Sequence, residues 1–300
     1  YLTDDSASRK KITQELESFF SKKFGYPCIL LPSGRSAISL SMMALKIDRH
    51  HIVFAPQYSS YCVWNILGRF SNPSVNISKD TNLILAVHKY AEVQTLDQSI
   101  ADALIIEDSC DSLIASSDNM FPLGGAYEVF SLPKIMGTYA GGVLACRNVE
   151  YENKAREIIK SSIQIHDSQG HLRWQFSLDQ SDSYNLWEAN EFQNFYLDLT
   201  ALNQIYDNLE ALDLNKKVIE SRFHFLAEEH SELSLQIPSG RLPSVLAFSR
   251  AFEKTDLMHR MIDTKQCLHS PSFANHVILP LHFGVSDEHF LKYIRSFLKH

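Results

Sequence analysis

No apolar run in the 300-residue sequence approaches the roughly 18 residues that a membrane-spanning helix requires, so no membrane span is expected. No secretory leader is visible, although the chain begins at Tyr1 rather than Met and residues upstream are not excluded. There is no basic excess. Against 28 Lys and Arg stand 35 Asp and Glu, a formal charge of −7, and the scattered basic residues argue against a nucleic-acid partner. The five cysteines, at 28, 62, 110, 146 and 267, are odd in number and lack zinc spacing. Their mostly apolar settings suggest buried, reduced thiols in a cytoplasmic protein. The 13 histidines form no ligand pattern, so no metal site is expected. Internal repeats and low-complexity tracts are absent. What is present is ordinary for a globular chain: 45% hydrophobic and 21% charged residues, enough for a large core.

Strand and helix signals alternate from 27 to 146. An amphipathic helix over Ser8 to Phe24 carries Ile12, Leu16, Phe19, Phe20 and Phe24 on one face. Short strands follow at Pro27 to Leu31, Ile52 to Ala55, Val75 to Ile77 and Leu83 to Val87, with helices at Ala37 to Leu45 and Gln57 to Leu67. This alternation predicts an α/β fold, a mostly parallel sheet flanked by helices, whose ligands bind beyond the carboxyl ends of strands. After Arg147 the chain changes character. A helix at Tyr151 to Ile165 and a polar stretch at His166 to Asp182 precede long helical patterns at Asn190 to Leu212 and Asn215 to His230. Strands at Val245 to Phe248 and Val277 to Leu281, with helices at Lys254 to Met261 and Asp287 to Leu298, complete a smaller α+β segment. The expected division is a large α/β domain at 1–150, linking helices at 151–235 and a small C-terminal domain at 236–300.

Two strand ends carry charge. Ala103-Leu-Ile-Ile-Glu-Asp108 is an apolar run ending in carboxylates, and Val129-Phe-Ser-Leu-Pro-Lys134 sets a lysine just after a second run. Gly141-Gly142 opens the return strand to Cys146. A lysine and an aspartate so presented suit pyridoxal phosphate, whose aldehyde takes an amine and whose pyridinium nitrogen takes an anion. A surface lysine and a helix-capping aspartate are the plain alternative. Pro32-Ser-Gly-Arg-Ser36, between a strand and a helix, is an anion site by its free N–H groups and dipole, with Ser36 as a simple N-cap the alternative. Tyr58, Tyr61 and Trp64 offer aromatic faces for a planar ring, or plain core. His88 follows another strand end.

These motifs, in this order, resemble the DegT/DnrJ/EryC1/StrS sugar aminotransferases, a branch of the fold-type-I pyridoxal-phosphate enzymes, nearly end to end. Leu31-Pro-Ser-Gly-Arg-Ser-Ala-Ile is similar to that family's Ser-Gly-Thr-x-Ala-Leu turn, and Ile106-Glu-Asp-Ser-Cys-Asp-Ser-Leu113 to its Glu-Asp-Ala-Ala segment. Phe54-Ala-Pro56, Gly124-Gly-Ala126, Phe130-Ser-Leu-Pro-Lys134 with Gly141-Gly142, and Ile278-Leu-Pro-Leu-His282 extend the match. The resemblance implies a seven-stranded-type central sheet and pyridoxal 5'-phosphate as cofactor. It implies that Lys134 forms the Schiff base and shuttles a proton, while Asp108 holds the pyridine nitrogen. Gly34, Arg35 and Ser36 cradle the phosphate, Ser131 adds a hydroxyl, and Asn190 reaches a neighbouring subunit's phosphate, making a homodimer with shared sites.

The implied reaction moves an amino group from an amino acid such as glutamate to a keto-sugar nucleotide. Departures from the family cluster at the site. Ser131 is closer to Lys134 than usual, Ser60 aligns with the stacking aromatic so that Tyr58 or Tyr61 takes that role, and Ala140 and Phe192 replace a Glu and an Arg. Asp111 stands where His or Gln contacts the cofactor's phenolic oxygen, which a carboxylate repels unless protonated or turned away. The departures keep two alternatives open: another pyridoxal reaction, elimination or acyl transfer on a non-sugar substrate, or a degenerate, non-catalytic subunit.

Overall fold

The computed structural model describes residues 3–96, 103–114, 117–162, 194–229, 240–243, 245–248, 277–281 and 283–297. Helix α1 (Thr3–Phe24) buries Leu16, Phe20 and Phe24, the face its spacing predicts, and the Phe24 ring meets Phe130 at 4.9 Å. Behind it lies a seven-stranded sheet of β1 (Cys28–Leu31), β2 (Ile52–Phe54), β3 (Asn72–Ser74), β4 (Thr81–Val87), β5 (Leu104–Asp108), β7 (Tyr127–Ser131) and β8 (Gly142–Cys146). Their order is β1-β8-β7-β5-β4-β2-β3. From β7 to β3 every pairing is parallel, and β8 alone runs against its two neighbours. The expected mostly parallel sheet is therefore observed. The inner strand Gly142–Cys146 is buried along its whole length and reads as a continuous apolar run, and so does the edge strand Cys28–Leu31, covered by α1.

The two faces separate by the period of two. Ile29, Leu31, Leu85, Ile106, Val129 and Leu144 pack under α2 (Gly34–Ala44), α3 (Tyr61–Phe70) and α5 (Val149–Ser161). The alternate residues Leu30, Phe130, Val143 and Ala145 pack with α1, α6 (Leu199–Asp207) and α7 (Ala211–Glu229). Several boundaries differ from the sequence reading for local reasons. Pro56 to Ser59 turns on itself through Ser59 N–H to Pro56 O at 2.9 Å, so α3 starts only after Ser60. The edge strand ends at Ser74, whose hydroxyl accepts from Asn76 N–H and donates to Asn76 O, curling the segment expected to be extended. Asp198 accepts from Ala201 N–H at 2.7 Å and fixes the start of α6, within the stretch expected to be helical from Asn190. The expected helix at Lys254 to Met261 lies outside the described residues. Among the described residues four cysteines are free, with Cys28 and Cys146 buried and Cys62 and Cys110 partly so. No described helix is long and apolar enough to cross a membrane.

The C-terminal strands form two small sheets of their own, each of two strands. β10 (Val245–Phe248) pairs with β11 (Val277–Pro280), while β9 (Arg241–Pro243) pairs with β6 (Ser112–Ile114), which follows β5 in the chain. Helix α8 (Asp287–Phe297) adds Phe290 and Ile294 to the α1 side of the core. Arg241 fastens β9 down: it donates to Ser109 Oγ at 2.7 Å, to Glu128 Oε1 at 2.5 Å and to the Asn119 carbonyl. Glu128 has no solvent exposure and also accepts from Ser109 Oγ and Phe121 N–H. Desolvation raises its carboxyl above the ordinary range, with Arg241 opposing. Removing one partner of a buried pair strands the other charge, so Arg241→Met should lower unfolding stability by about 3–5 kcal/mol, measured by denaturant titration. The double change Arg241→Met with Glu128→Leu should recover much of that loss.

Candidate active site

Three chain segments meet at the carboxyl edge of the sheet. The first is the turn into α2. Ser33 caps the helix by accepting from Ser36 N–H at 3.1 Å, and its carbonyl takes the Ala37 N–H; this first turn of α2 is the stretch from which the sequence predicts a phosphate cradle. Gly34, Arg35 and Ser36 all lie on this turn. The second is the end of β5 at Asp108 and the loop after it, with Cys110 and Asp111. The third is the short helix α4 (Leu132–Met136), which carries Lys134 directly after β7.

Backbone contacts lock the three together. Gly141 N–H donates to Pro32 O at 2.6 Å, and Gly141 O accepts from Leu132 N–H at 3.0 Å, so one residue joins the cradle to the lysine helix. Gly141 has φ +119, a backbone that disfavours side chains, and a Cβ on Gly142 would overlap the Ser33 carbonyl. A Cβ on Gly34 would lie 2.6 Å from Cys110 Sγ, which ties the cradle to the Asp108 loop.

Asp108, nearly buried, ends β5 opposite Val129 and accepts from Cys110 N–H at 3.0 Å. It stands two residues beyond Ile106 and so faces α2. Lys134 is 49% exposed in its side chain and donates to Asp111 Oδ1 at 2.7 Å. Asp111 is not alone with it: Lys89 Nζ lies 3.1 Å from Oδ2. Burial pushes the Asp111 carboxyl upward, but the two ammonium groups outweigh it and hold the group well below the usual carboxylate range. For Lys134, desolvation pulls downward, yet Asp111 outweighs it and raises the ammonium above its ordinary value. Asp111 is thus ionised and neutralised by ion pairing, an arrangement the sequence reading did not foresee.

The other candidates sit as follows. Ser131 occupies the N-cap position of α4, half-buried, without a side-chain cap bond. The Tyr58 hydroxyl donates to Val87 O at 3.1 Å at the end of β4, and desolvation pushes it up to about 12. Tyr61 opens α3 and is 74% exposed. Asn190 lies outside the described residues. His88 turns away from Asp108: its Nδ1 accepts from Gln94 N–H, so its Nε2 carries the proton and donates to buried Glu107 at 2.8 Å. Lys89 was missed by sequence reasoning, although its place after the β4 strand end is the same signal that drew attention to Lys134. Among the described residues no group of His, Cys, Asp or Glu is arranged to hold a metal ion.

The donor set fits pyridoxal phosphate. A helix N-terminus with Ser33, Arg35 and Ser36 suits a phosphate, a buried aspartate suits a ring nitrogen, and a half-exposed lysine suits an aldehyde. The architecture and this constellation define the class, the fold-type-I pyridoxal-phosphate enzymes. A family model described as "Putative PLP-dependent aminotransferase" matches residues 18–300, and the chain belongs to that family. No curated protein matches in sequence. Among solved structures, DesV of S. venezuelae is similar over 99% of this chain and 94% of its own, at 15% identity and TM-score 0.68. Sugar aminotransferase CalS13 from Micromonospora echinospora matches at 13% identity and TM-score 0.66 over 96% and 91% of the two chains. A DegT DnrJ EryC1 StrS aminotransferase from Brucella abortus matches at 15% identity and TM-score 0.62 over 97% and 94%.

Because Gly142 has no room for a side chain, Gly142→Ala must push the cradle away from the lysine helix. A loss of about 1–3 kcal/mol in denaturant unfolding, typical of overpacking, is expected together with weakened binding of pyridoxal phosphate in an equilibrium titration.

Proposed function

We propose that this aminotransferase moves an amino group from an amino-acid donor such as glutamate to the ketone of a sugar nucleotide, as a cytoplasmic homodimer with shared sites. The observation that carries the reading is the convergence of Lys134, Asp108 and the first turn of α2 on one sheet edge, fastened through Gly141. Bound there, pyridoxal phosphate supplies an aldehyde that condenses with amines and a pyridinium ring that accepts an electron pair.

The chain's own residues do the rest. Lys134 would supply the amine that the aldehyde takes at rest, and would take and return the proton at the substrate Cα. Asp108 keeps the ring nitrogen protonated through its charge. Gly34, Arg35 and Ser36 hold the phosphate at the first turn of α2, where the helix dipole favours it, and Ser131 adds a hydroxyl. Tyr58, half-buried at the end of β4, suits a stacking role better than exposed Tyr61. Asn190 completes the phosphate site of the partner subunit, and the boundaries near 150 and 235 separate the cofactor-binding domain, the linking helices and the small domain. The nucleotide-sugar acceptor is supported by the kinship in fold with a sugar aminotransferase.

Purified protein should show a visible absorption band with pyridoxal phosphate that is absent in Lys134→Ala. With Asp108→Asn the cofactor should stay bound while turnover falls by roughly 100-fold or more, because the ring loses its charge partner. Retained turnover removes Asp108 from this role. A panel of amino acids read by half-reaction spectroscopy identifies the donor, since only amino transfer leaves the amine form of the cofactor behind. A band that bleaches with no amine form accumulating points instead to elimination or acyl transfer.

A further inference from the structure

Lys134 has to lose its proton before it can bond to a carbonyl carbon, and its nearest neighbour is a carboxylate that favours keeping it. Asp111 Oδ1 takes Lys134 at 2.7 Å, while Asp111 Oδ2 lies 3.1 Å from Lys89. Lys89 is held in place with unusual firmness. Its side chain is only 15% exposed, against 49% for Lys134. The two residues after it, Tyr90 at φ 52 and Ala91 at φ 66, both occupy the left-handed region although neither is glycine. Such backbone persists where the surroundings over-determine it, and it clusters at working sites. The surroundings here are plain: His88 is pinned by Glu107 and Gln94, Tyr58 sits beside the turn, and β6, β9 and β10 pack against it.

We propose that Lys89 is a positioning residue, acting through Asp111: it shares the carboxylate with Lys134, so that Lys134 can discharge while Asp111 stays ionised and in place. This deepens the proposed function and rests on it. Two lysines on one carboxylate repel each other, and that repulsion opposes the pull of Asp111. When Lys134 turns toward a carbonyl, the Lys89 contact remains and Asp111 does not become an unpaired buried charge. Among the described residues the ionisable groups around Lys134 are Asp108 at the end of β5 and Cys110 and Asp111 in the loop that follows it, with Lys89 beyond Asp111. Helix α7 reaches α4 with a neutral residue, Asn215, which donates to Ile135 O.

The test uses the cofactor-free chain. Acetic anhydride acylates only the unprotonated amine, so at pH 8 the rate at Lys134, read by mass spectrometry, changes tenfold for each unit in its pKa. Lys89→Met should slow Lys134 acetylation by roughly tenfold or more. Lys89→Arg should keep it near the wild-type rate, and Asp111→Asn should raise it above wild type. An unchanged rate in Lys89→Met, with native circular dichroism, overturns the proposal. If Lys89→Met fails to fold, Asp111→Asn carries the test, and an unchanged rate there overturns it equally. A parallel arm adds pyridoxal phosphate to wild-type protein: slowed acetylation in Lys89→Met together with no visible band in wild type refutes the proposed function instead, and leaves the electrostatic coupling standing.

Discussion

Everything at this site depends on how closely three strand ends can approach one another, and that distance is set where side chains are missing. Gly142 lies against the Ser33 carbonyl, Gly34 against the Cys110 sulfur, and Gly141 hydrogen-bonds both Pro32 and Leu132. A cradle for phosphate and a lysine for an aldehyde have to stand a fixed span apart to serve one small molecule. Here that span is set by backbone contact, which cannot relax by a change of rotamer. The site is therefore rigid at its poles, and variation is left to the side chains between them.

Those side chains sort four carboxylates by the pleat of the sheet. Glu107 and Glu128 face each other across β5 and β7 on one side, and each is fully buried with its own partner, His88 for one and Arg241 for the other. Asp108 and Asp111 point to the opposite side, toward α2 and the lysines. Adjacent residues of one sequence run thus serve different ends. Glu107 anchors backbone N–H groups of Leu123 and Gly125 on one face of the sheet, while Asp108, the next residue, faces the other.

The sheet was legible because its signal is local. Apolar runs such as Leu104–Asp108 ending in charge give a parallel strand and its carboxyl end without any tertiary knowledge, and the Gly-Gly return gives the close approach. That Lys134, Asp108 and the Ser33 to Ser36 turn lie at one edge of the sheet followed from that pattern. What stayed hidden depends on partners remote in sequence. The state of Asp111 was posed as a choice between protonated and turned away, and Lys89, 22 positions earlier, joins Lys134 in keeping it ionised. The start of α3 and the end of β3 were misplaced because single side-chain and turn bonds at Ser59 and Ser74 overrode periodicity. Arg241 gave no signal, since a lone arginine in a Pro-Gly-rich turn reads as surface.

Arg241 also bears on how the protein comes to exist. Its contacts to Glu128 and Ser109 span 113 and 132 residues of sequence. On a ribosome the strand bearing Asp108 and the helix bearing Lys134 emerge long before the guanidinium that pairs with the carboxylate behind them. Until then Glu128 stays close to water or protonated, and the loop after β5 lacks its brace. A fragment ending near residue 150 holds the residues named for catalysis and still lacks the means to fix them. Arg241 and the short strand β9 are what close behind those residues.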